Sequence, residues 1–278
     1  MSSHTAGTKL GLIGKLLLDG EMICESGLHI GAGKGSLDLG GADNPVVKDA
    51  FGRPYVPGSS IRGKLRSLLE HASGAVSPSD LVFLSRRRGQ EVRIHQSNDP
   101  GDEICLLFGR NPGRMELASG DHIDTTTATP ARLTVYDAPL DLDSITPQMR
   151  ENLDDELTEV KSENAIDRIT CQANARTLER VPTGARFKVR LVVDVLCSED
   201  RELVARLIEG LRLLEDDSLG GGGSRGNGRV RFSNWSVNWR SRGYYAAGEA
   251  EQALVASAAA TSDLQAAILA PDFAGKLA

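Results

Sequence analysis

The chain has few aromatic residues and no excess of positive charge. Aromatic side chains make up 4% of its 278 residues, and the formal net charge is -6 at pH 7. Proteins that hold single strands of nucleic acid by base stacking present several aromatic rings, and domains that bind naked polyanions are usually basic. This composition argues against recognition by many stacked rings and mildly against binding of a free polyanion.

The sequence also lacks the features of exported and membrane proteins. It has no apolar run of the about 20 residues that a membrane-spanning helix needs, and no signal-peptide pattern at its start. Its four cysteines are widely spaced without a CxxC pair, which favours reduced thiols over a zinc site or disulfide bonds. They are Cys24, Cys105, Cys171 and Cys197. We therefore expect a soluble, cytoplasmic protein.

Charge is distributed unevenly along the chain. Basic side chains gather at residues 53–66, 86–93, 168–190 and 225–231, whereas residues 137–163 are rich in Asp and Glu. A protein that carries opposite charges on separate faces can bind a polyanion with one face and copies of itself with the other. The negative total therefore does not exclude a local surface for RNA.

Hydrophobic periodicity predicts strand, helix and strand near each end of the chain. The first helix begins with Ser59 or Ser60 as its N-cap, and the second begins after residues 198–200. The predicted strands cover residues 9–24, 132–138, 185–197 and 229–239. This order favours an α+β, ferredoxin-like core of the RNA-recognition-motif type.

Three segments fall outside this core pattern. Residues 74–130 are poorly patterned and predict a long insertion rather than a core layer, and the acidic residues 141–163 predict at least one helical turn. Residues 240–278 form an Ala-rich C-terminal extension, for which we expect an accessory helix or a mobile tail. The core domain then spans residues 9–239.

The tract GAGKGS at residues 31–36 is similar to a phosphate-binding P-loop but fails its pattern. Leu28 stands where the first Gly is required, and Gly35 stands where the magnesium-binding Ser or Thr belongs. These two departures exclude a nucleotide hydrolase of the P-loop type.

The Gly-rich tract at residues 219–226 (LGGGGSRG) follows the second predicted helix. Glycine lets a backbone approach a sugar-phosphate chain closely, with its N–H groups facing the oxygens, and Arg225 supplies charge. A C-cap followed by a plain linker explains the same residues. The residues alone leave both interpretations open.

The motif PGSSIRGKLR at residues 57–66 has a similar chemistry. A helix N-terminus with two hydroxyl groups and nearby cations can bind an anion. A solvated, capped amphipathic helix is the alternative.

Six motifs occur in a fixed order: GLHIG at 27–31, DNPV at 43–46, PGSSIRGKLR at 57–66, LFG at 107–109, AIDRIT at 165–170 and the Gly-rich tract. Together they resemble the RAMP superfamily of CRISPR effector subunits, specifically the backbone nuclease (Csm-type) of type III-A and III-D complexes. The resemblance covers about residues 10–235 and leaves the tail uncovered.

The resemblance implies a ferredoxin-like palm with an inserted thumb hairpin at about residues 159–182. It implies stacking of copies as a filament along a CRISPR guide RNA, together with other type III effector subunits. It further implies cleavage of complementary target RNA at regular intervals with a divalent metal, Mg²⁺ or Mn²⁺, in antiviral defence. Base pairing with the guide, and not the protein, would choose the target.

The resemblance assigns roles to individual residues. Asp43 corresponds to the catalytic residue and metal ligand. The residues implied in RNA binding are His29, Ser59, Ser60, Arg62, Lys64, Arg66, Ile166, Arg168, Gly221, Gly222, Gly223, Ser224 and Arg225. One carboxylate is chemically sufficient, because RNA carries its own 2′-hydroxyl nucleophile and Mg²⁺ often uses one or two protein carboxylates.

Alternatives to catalysis stay open. Asp43 precedes Asn44-Pro45, a sequence that also suits an ordinary turn. The chain would then be a non-catalytic, guide-binding scaffold of the same complex; a stand-alone RNA chaperone is a third possibility. Some residues depart from the family pattern: Lys34, Ala42, Cys171 and Ala175.

Overall fold

The fold was analysed in a computed structural model that describes residues 10–32, 43–87, 89–125, 130–271, 273 and 275. The strands are β1 (Gly14–Cys24), β2 (Tyr55–Val56), β3 (Val82–Arg87), β4 (Gln90–Ile94), β5 (Arg114–Glu116), β6 (His122–Asp124), β7 (Leu133–Val135), β8 (Ala138–Asp141), β9 (Glu159–Ile166), β10 (Ala173–Arg180), β11 (Arg186–Val195), β12 (Val230–Ser241) and β13 (Gln252–Ala260). The α-helices are α1 (Gly58–Ala72), α2 (Glu103–Phe108), α3 (Pro147–Arg150), α4 (Glu202–Glu215), α5 (Arg242–Ala247) and α6 (Thr261–Ile268), and 3-10 turns cover Leu142–Ser144, Ser198–Arg201 and Gly223–Arg225.

The central sheet is antiparallel and has seven strands, in the order β13-β12-β1-β11-β8-β2, with β7 also paired to β11. Its middle strands β12, β1 and β11, with β7 and β8 next to β11, reproduce the 4-1-3-2 order of a ferredoxin-like sheet. Helix α1 lies in the chain between β1 and β7, and α4 lies between β11 and β12. The α+β ferredoxin-like fold expected from the sequence is therefore present.

The core lies between this sheet and helices α1 and α4. Alternate residues of β11, such as Phe187, Leu191 and Val193, are fully buried, as the period of two in its sequence predicts. The apolar stripes of α1 and α4 enter the same cluster through residues such as Leu65 and Leu211.

The predicted strand at residues 132–138 is divided in two. β7 ends at Val135 and β8 begins at Ala138, with Tyr136 and Asp137 between them. The interruption serves α1, because the Asp137 carboxylate accepts a hydrogen bond from the backbone N–H of Gly58 at 2.7 Å. This satisfies one of the free N–H groups at the start of the helix.

The insertion at residues 74–130 has more order than its sequence pattern predicts. In its described residues, β3 pairs with β4, β5 pairs with β6, and α2 lies between the two hairpins. The Asp102 carboxylate caps α2 by accepting a hydrogen bond from Cys105 N at 2.7 Å. These two hairpins are separate from the central sheet. Their strands and α2 were not predicted, because short hairpins and a capped two-turn helix leave weak periodic signals.

The Ala-rich tail does not form a single accessory helix. Residues Gln252–Ala260 form β13, which pairs antiparallel with β12 at one edge of the sheet, and α6 follows. Small side chains allowed this strand to be mistaken for a helix, because alanine favours helices on propensity alone. In the described ranges, no helix combines the length and the apolar character needed to cross a membrane.

Candidate RNA-binding and cleavage site

A two-stranded hairpin, β9 with β10, stands apart from the central sheet. Its strands pair in register from Glu159–Arg180 at the base to Ile166–Ala173 near the turn. Asp167 shapes the turn by accepting hydrogen bonds from the backbone N–H groups of Ile169 and Thr170. The side chains at this turn face solvent, with Ile166 52% and Ile169 92% exposed. The predicted RNA-binding residues Ile166 and Arg168 thus lie at an exposed tip.

Asp43 lies against the middle of this hairpin. Its Oδ2 accepts hydrogen bonds from Thr177 N at 2.8 Å and Thr177 Oγ1 at 3.0 Å, and its own N–H donates to Thr177 Oγ1 at 3.0 Å. The hydrogen bond from the Thr177 backbone, followed by that from its hydroxyl, holds the pKa of Asp43 below its usual value. Asp43 is an exposed residue, and Oδ1 has no hydrogen-bond partner among the described residues, so one oxygen is fixed by Thr177 and the other is not.

The segment after Asp43 is held by the buried carboxylate of Glu179. Its Oε2 accepts a hydrogen bond from Val46 N at 2.8 Å, and its Oε1 lies 2.8 Å from Lys48 Nζ and 2.7 Å from Thr158 Oγ1. Burial alone would raise the pKa of Glu179, but the bonds from Lys48, Thr158 and Val46 outweigh it and lower that pKa. Glu179 is only 6% exposed.

His29 connects the hairpin with the Gly-rich tract. Its Nδ1 lies 2.8 Å from the carbonyl oxygen of Glu179, and its own carbonyl accepts a hydrogen bond from Gly221 N at 2.8 Å. Gly220 has a φ of +79°, and a Cβ there would lie 2.2 Å from the His29 carbonyl oxygen. His29 is 8% exposed, and its contacts join the hairpin to the Gly-rich tract inside the protein. Its contact with RNA stays a prediction.

The Gly-rich tract and the middle of the hairpin share a cluster of charges. Glu163, on β9, pairs with Arg176 at 2.7 Å and with Arg225 of the tract at 3.2 Å. Lys161 Nζ lies 3.4 Å from Asn227 Oδ1 and 3.5 Å from the carbonyl oxygen of Arg225. The hydrogen bond from Arg176, with that from Arg225, holds the pKa of Glu163 below its usual range. The tract whose glycines were predicted to approach RNA thus contacts β9 through Arg225.

The five predicted residues of α1 divide into three groups. Lys64 pairs with Asp217, just before the Gly-rich tract, at 2.9 Å. Arg62 and Arg66 instead donate to backbone carbonyls of the insertion, at Phe108 and at His95. Ser59 and Ser60 lie in the first turn of the helix, with Ser59 exposed. No contact among the described residues joins these two serines to Asp43, and the RNA-binding role of all five residues stays a prediction.

Among the described residues around Asp43, one carboxylate, that of Asp43 itself, could hold a divalent cation. Oδ1 of Asp43 is open, while the neighbouring Glu179 is occupied by Lys48 and two hydrogen bonds. Such a site fits Mg²⁺, which keeps several waters and takes the remaining oxygens from a substrate phosphate. Within the described ranges, the one group of three potential ligands is elsewhere, in the insertion: His95, Asp102 and Cys105.

In that group, His95 and Asp102 form an ion pair at 2.9 Å. Hydrogen bonding to Asp102, and then to Cys105, raises the pKa of His95 to about 10. The pair is therefore satisfied without an ion.

The residues that connect these parts carry no signal in the sequence. Thr177, Glu179 and Lys161 were within the predicted thumb but received no role, and Asn227 received none either. No local pattern identifies them, since their partners are far away in the chain: Asp43 and Thr177 are 134 residues apart. The stretch 33–42, which includes Lys34, Ala42 and most of the P-loop-like tract, lies outside the described residues.

The family of this chain follows from its similarity to known proteins. The RAMP superfamily matches residues 21–231. The chain belongs to the RAMP superfamily. A curated RAMP relative from Methanocaldococcus jannaschii, named CRISPR system Cms endoribonuclease Csm3, is 38% identical over 245 residues, covering 86% of this chain and 87% of the relative. A relative of the same name from Mycobacterium tuberculosis is 35% identical over 79% of this chain and 87% of its own length.

Solved RAMP structures agree with the fold. The Csm3-Csm4 subcomplex of a type III-A CRISPR-Cas interference complex aligns over 93% of this chain and 97% of the solved chain, with 27% identity and a TM-score of 0.56. Methanopyrus kandleri Csm3 aligns over 86% of this chain and 80% of its own, with 26% identity and a TM-score of 0.56. The family expected from the six ordered motifs is confirmed.

Proposed function

We propose that this chain is a guide-RNA-binding backbone subunit of a type III CRISPR effector complex and an endoribonuclease that cuts complementary target RNA. The relatives that carry the name endoribonuclease Csm3 support this, since the chain matches most of their length. In this proposal, copies of the chain stack along the guide with other effector subunits, and the complex acts in the cytoplasm in antiviral defence.

The observation that carries the catalytic part is the state of the Asp43 carboxylate. One of its oxygens is fixed by Thr177, and the other has no hydrogen-bond partner in the part of the chain that the structure describes. RNA supplies the 2′-hydroxyl nucleophile, so the protein has to align the chain and neutralise developing negative charge. Asp43 would hold a divalent ion, Mg²⁺ or Mn²⁺, which when bound supplies positive charge at the scissile phosphate.

The binding part rests on the surface beside Asp43. The glycines of the tract let a sugar-phosphate chain approach the backbone closely, and Lys161 and Arg225 bring positive charge to the contact between the tract and the hairpin. Lys64 adds a positive charge next to Asp217, just before the tract. The exposed apolar tip of the hairpin, with Ile166 and Ile169, suits an element that separates bases of a guide–target duplex. Phosphate contacts position the RNA without reading its sequence.

The test is target cleavage by the assembled complex. The chain is assembled on a guide RNA, mixed with labelled complementary RNA and Mg²⁺ or Mn²⁺, and compared with Asp43→Ala and with Asp80→Ala, an exposed aspartate of the insertion. We expect regularly spaced cleavage products from wild type and Asp80→Ala. The rate of cleavage should fall about 100-fold or more in Asp43→Ala, and no product should form in EDTA. The ultraviolet absorbance ratio of the purified complexes should show that wild type and both variants retain guide RNA.

Cleavage by Asp43→Ala at the wild-type rate contradicts the assigned catalytic residue. Guide binding without cleavage by any variant, in any metal, would instead make the chain a scaffold subunit.

A further inference from the structure

One edge of β10 is hydrogen-bonded to the loop that carries Asp43. Asp43 exchanges bonds with Thr177 as described above, and Asn44 forms a parallel bridge with Leu178. The carbonyl oxygen of Asn44 then accepts a hydrogen bond from Glu179 N at 3.1 Å. Three successive residues of the hairpin therefore contact two successive residues of the loop.

Glu179 continues this attachment further along the loop. Its carboxylate bonds both to the loop, at Val46 N and Lys48 Nζ, and to Thr158 at the base of the hairpin. A buried carboxylate without hydrogen-bond partners costs free energy. Arrangements in which the loop moves away from the hairpin are therefore disfavoured. Directional hydrogen bonds therefore fix the loop at Asp43, Asn44 and Val46, beside the apolar burial of the Val46 side chain.

We propose that Thr177 and Glu179 are positioning residues that join the loop of residues 43–48 and the β9–β10 hairpin into one unit. When the hairpin tip engages target RNA, the carboxylate of Asp43 then keeps a constant place relative to the hairpin. The consequence for cutting rests on the proposed function; the join between loop and hairpin does not. The hydroxyl of Thr177 is the central group, because it accepts from Asp43 N and donates to Asp43 Oδ2.

The chain offers a closely matched set of variants. Thr177→Val keeps the shape and strand preference of the side chain but removes both hydroxyl bonds, whereas Thr177→Ser keeps the hydroxyl. Thr134→Val, on the exposed face of β7, makes the same chemical change away from the loop. Glu179→Gln is a second, independent change at the join.

The first measurement is amide hydrogen exchange, which can be made whether or not the protein cleaves RNA. Thr177→Val should speed exchange at the Asp43 amide about 2- to 10-fold, the loss expected for one net hydrogen bond. Reciprocally, Asp43→Ala should speed exchange at the Thr177 amide, and Glu179→Gln should do so at the Val46 amide. Thr134→Val should leave all three amides unchanged. Unchanged exchange in the three join variants overturns the proposal.

The second measurement is target cleavage at saturating target by the assembled complex. Thr177→Val should slow cutting about 10-fold, since a hydrogen bond to a charged group is lost, while the concentration of target at half-saturation stays within about twofold of wild type. Thr177→Ser should restore the rate, which a general loss of folding would not allow. A wild-type rate in Thr177→Val overturns the positioning role.

The two measurements separate this inference from the proposed function. If wild type does not cut, the proposed catalysis fails, and the exchange measurement alone decides whether loop and hairpin are joined. If wild type cuts and Asp43→Ala does not, but Thr177→Val behaves as wild type in both measurements, the function stands and the inference fails.

Discussion

The ion pair of Arg132 and Asp200 offers a strong test of what stabilises this fold. Both side chains are 0% exposed, and Arg132 Nε lies 3.0 Å from Asp200 Oδ2. The same Oδ2 accepts hydrogen bonds from the backbone N–H groups of Leu196 at 2.8 Å and Cys197 at 3.1 Å. The pair thus ties the start of β7 to the turn that leads into α4.

Replacing Arg132 by Met should destabilise the protein by about 3–5 kcal/mol, because Asp200 is left charged and buried without its cation. For a chain of this length, that is a fall of roughly 6–20 °C in Tm. The measurement is urea unfolding followed by circular dichroism, with thermal unfolding beside it. Arg150→Met, at an exposed site, should change stability by no more than about 0.5 kcal/mol.

A double-mutant cycle then isolates the pair. Asp200→Asn removes the charge but keeps an oxygen for the N–H groups of Leu196 and Cys197, so in the Arg132→Met background it should cost less than in wild type. We expect a coupling of about 1–3 kcal/mol. Additive losses, or a cost below about 1 kcal/mol for Arg132→Met, would refute the argument that this buried charge needs its partner.

Four further predictions concern helix α1, the glycine after the Gly-rich tract, the loop of residues 43–48 and the insertion. Gly63→Ala should stabilise α1 by about 1 kcal/mol, while Gly228→Ala should cost at least about 1 kcal/mol because its φ is +78° and a Cβ would lie 2.0 Å from the Leu219 carbonyl oxygen; urea unfolding measures both. The lowered pKa of Glu179 means that the stability contributed by its ionised carboxylate is present at neutral pH and is lost as the pH falls below 4.5 through that pKa. The difference in unfolding free energy between wild type and Glu179→Gln should therefore shrink in acid. Arg66→Met should speed proteolysis within residues 89–125, since it removes the hydrogen bonds to the carbonyl oxygens of His95 and Gly109.

The fold was predictable where periodicity and capping act locally. The alternation that marks β11 and the apolar stripe of α1 are properties of neighbouring residues, so they were visible in the sequence. The tail was not, because β13 forms by pairing with β12 and its alanines carry little preference of their own.

The candidate site was predictable in its parts but not in their connections. Asp43, His29 and the Gly-rich tract were identified through ordered motifs, whereas Thr177 and Glu179 act through partners about 130 residues away. The structure also gives Arg62 and Arg66 internal partners in the insertion that their basic character did not suggest. Side-chain hydrogen bonds over such separations depend on the tertiary arrangement, which a single sequence does not contain.

The position of β13 has a consequence for how the protein associates. This strand covers one edge of the central sheet, where β12 would otherwise present unpaired N–H and C=O groups to solvent. An uncovered strand edge invites pairing with any other extended chain, which is a common route to aggregation. β13 is then the edge strand itself, and the two register shifts in its pairing with β12 make it a poor template for a further strand. A version shortened before residue 246 would expose the edge of β12 and would be more prone to form disordered aggregates, in competition with the ordered stacking proposed for the intact chain.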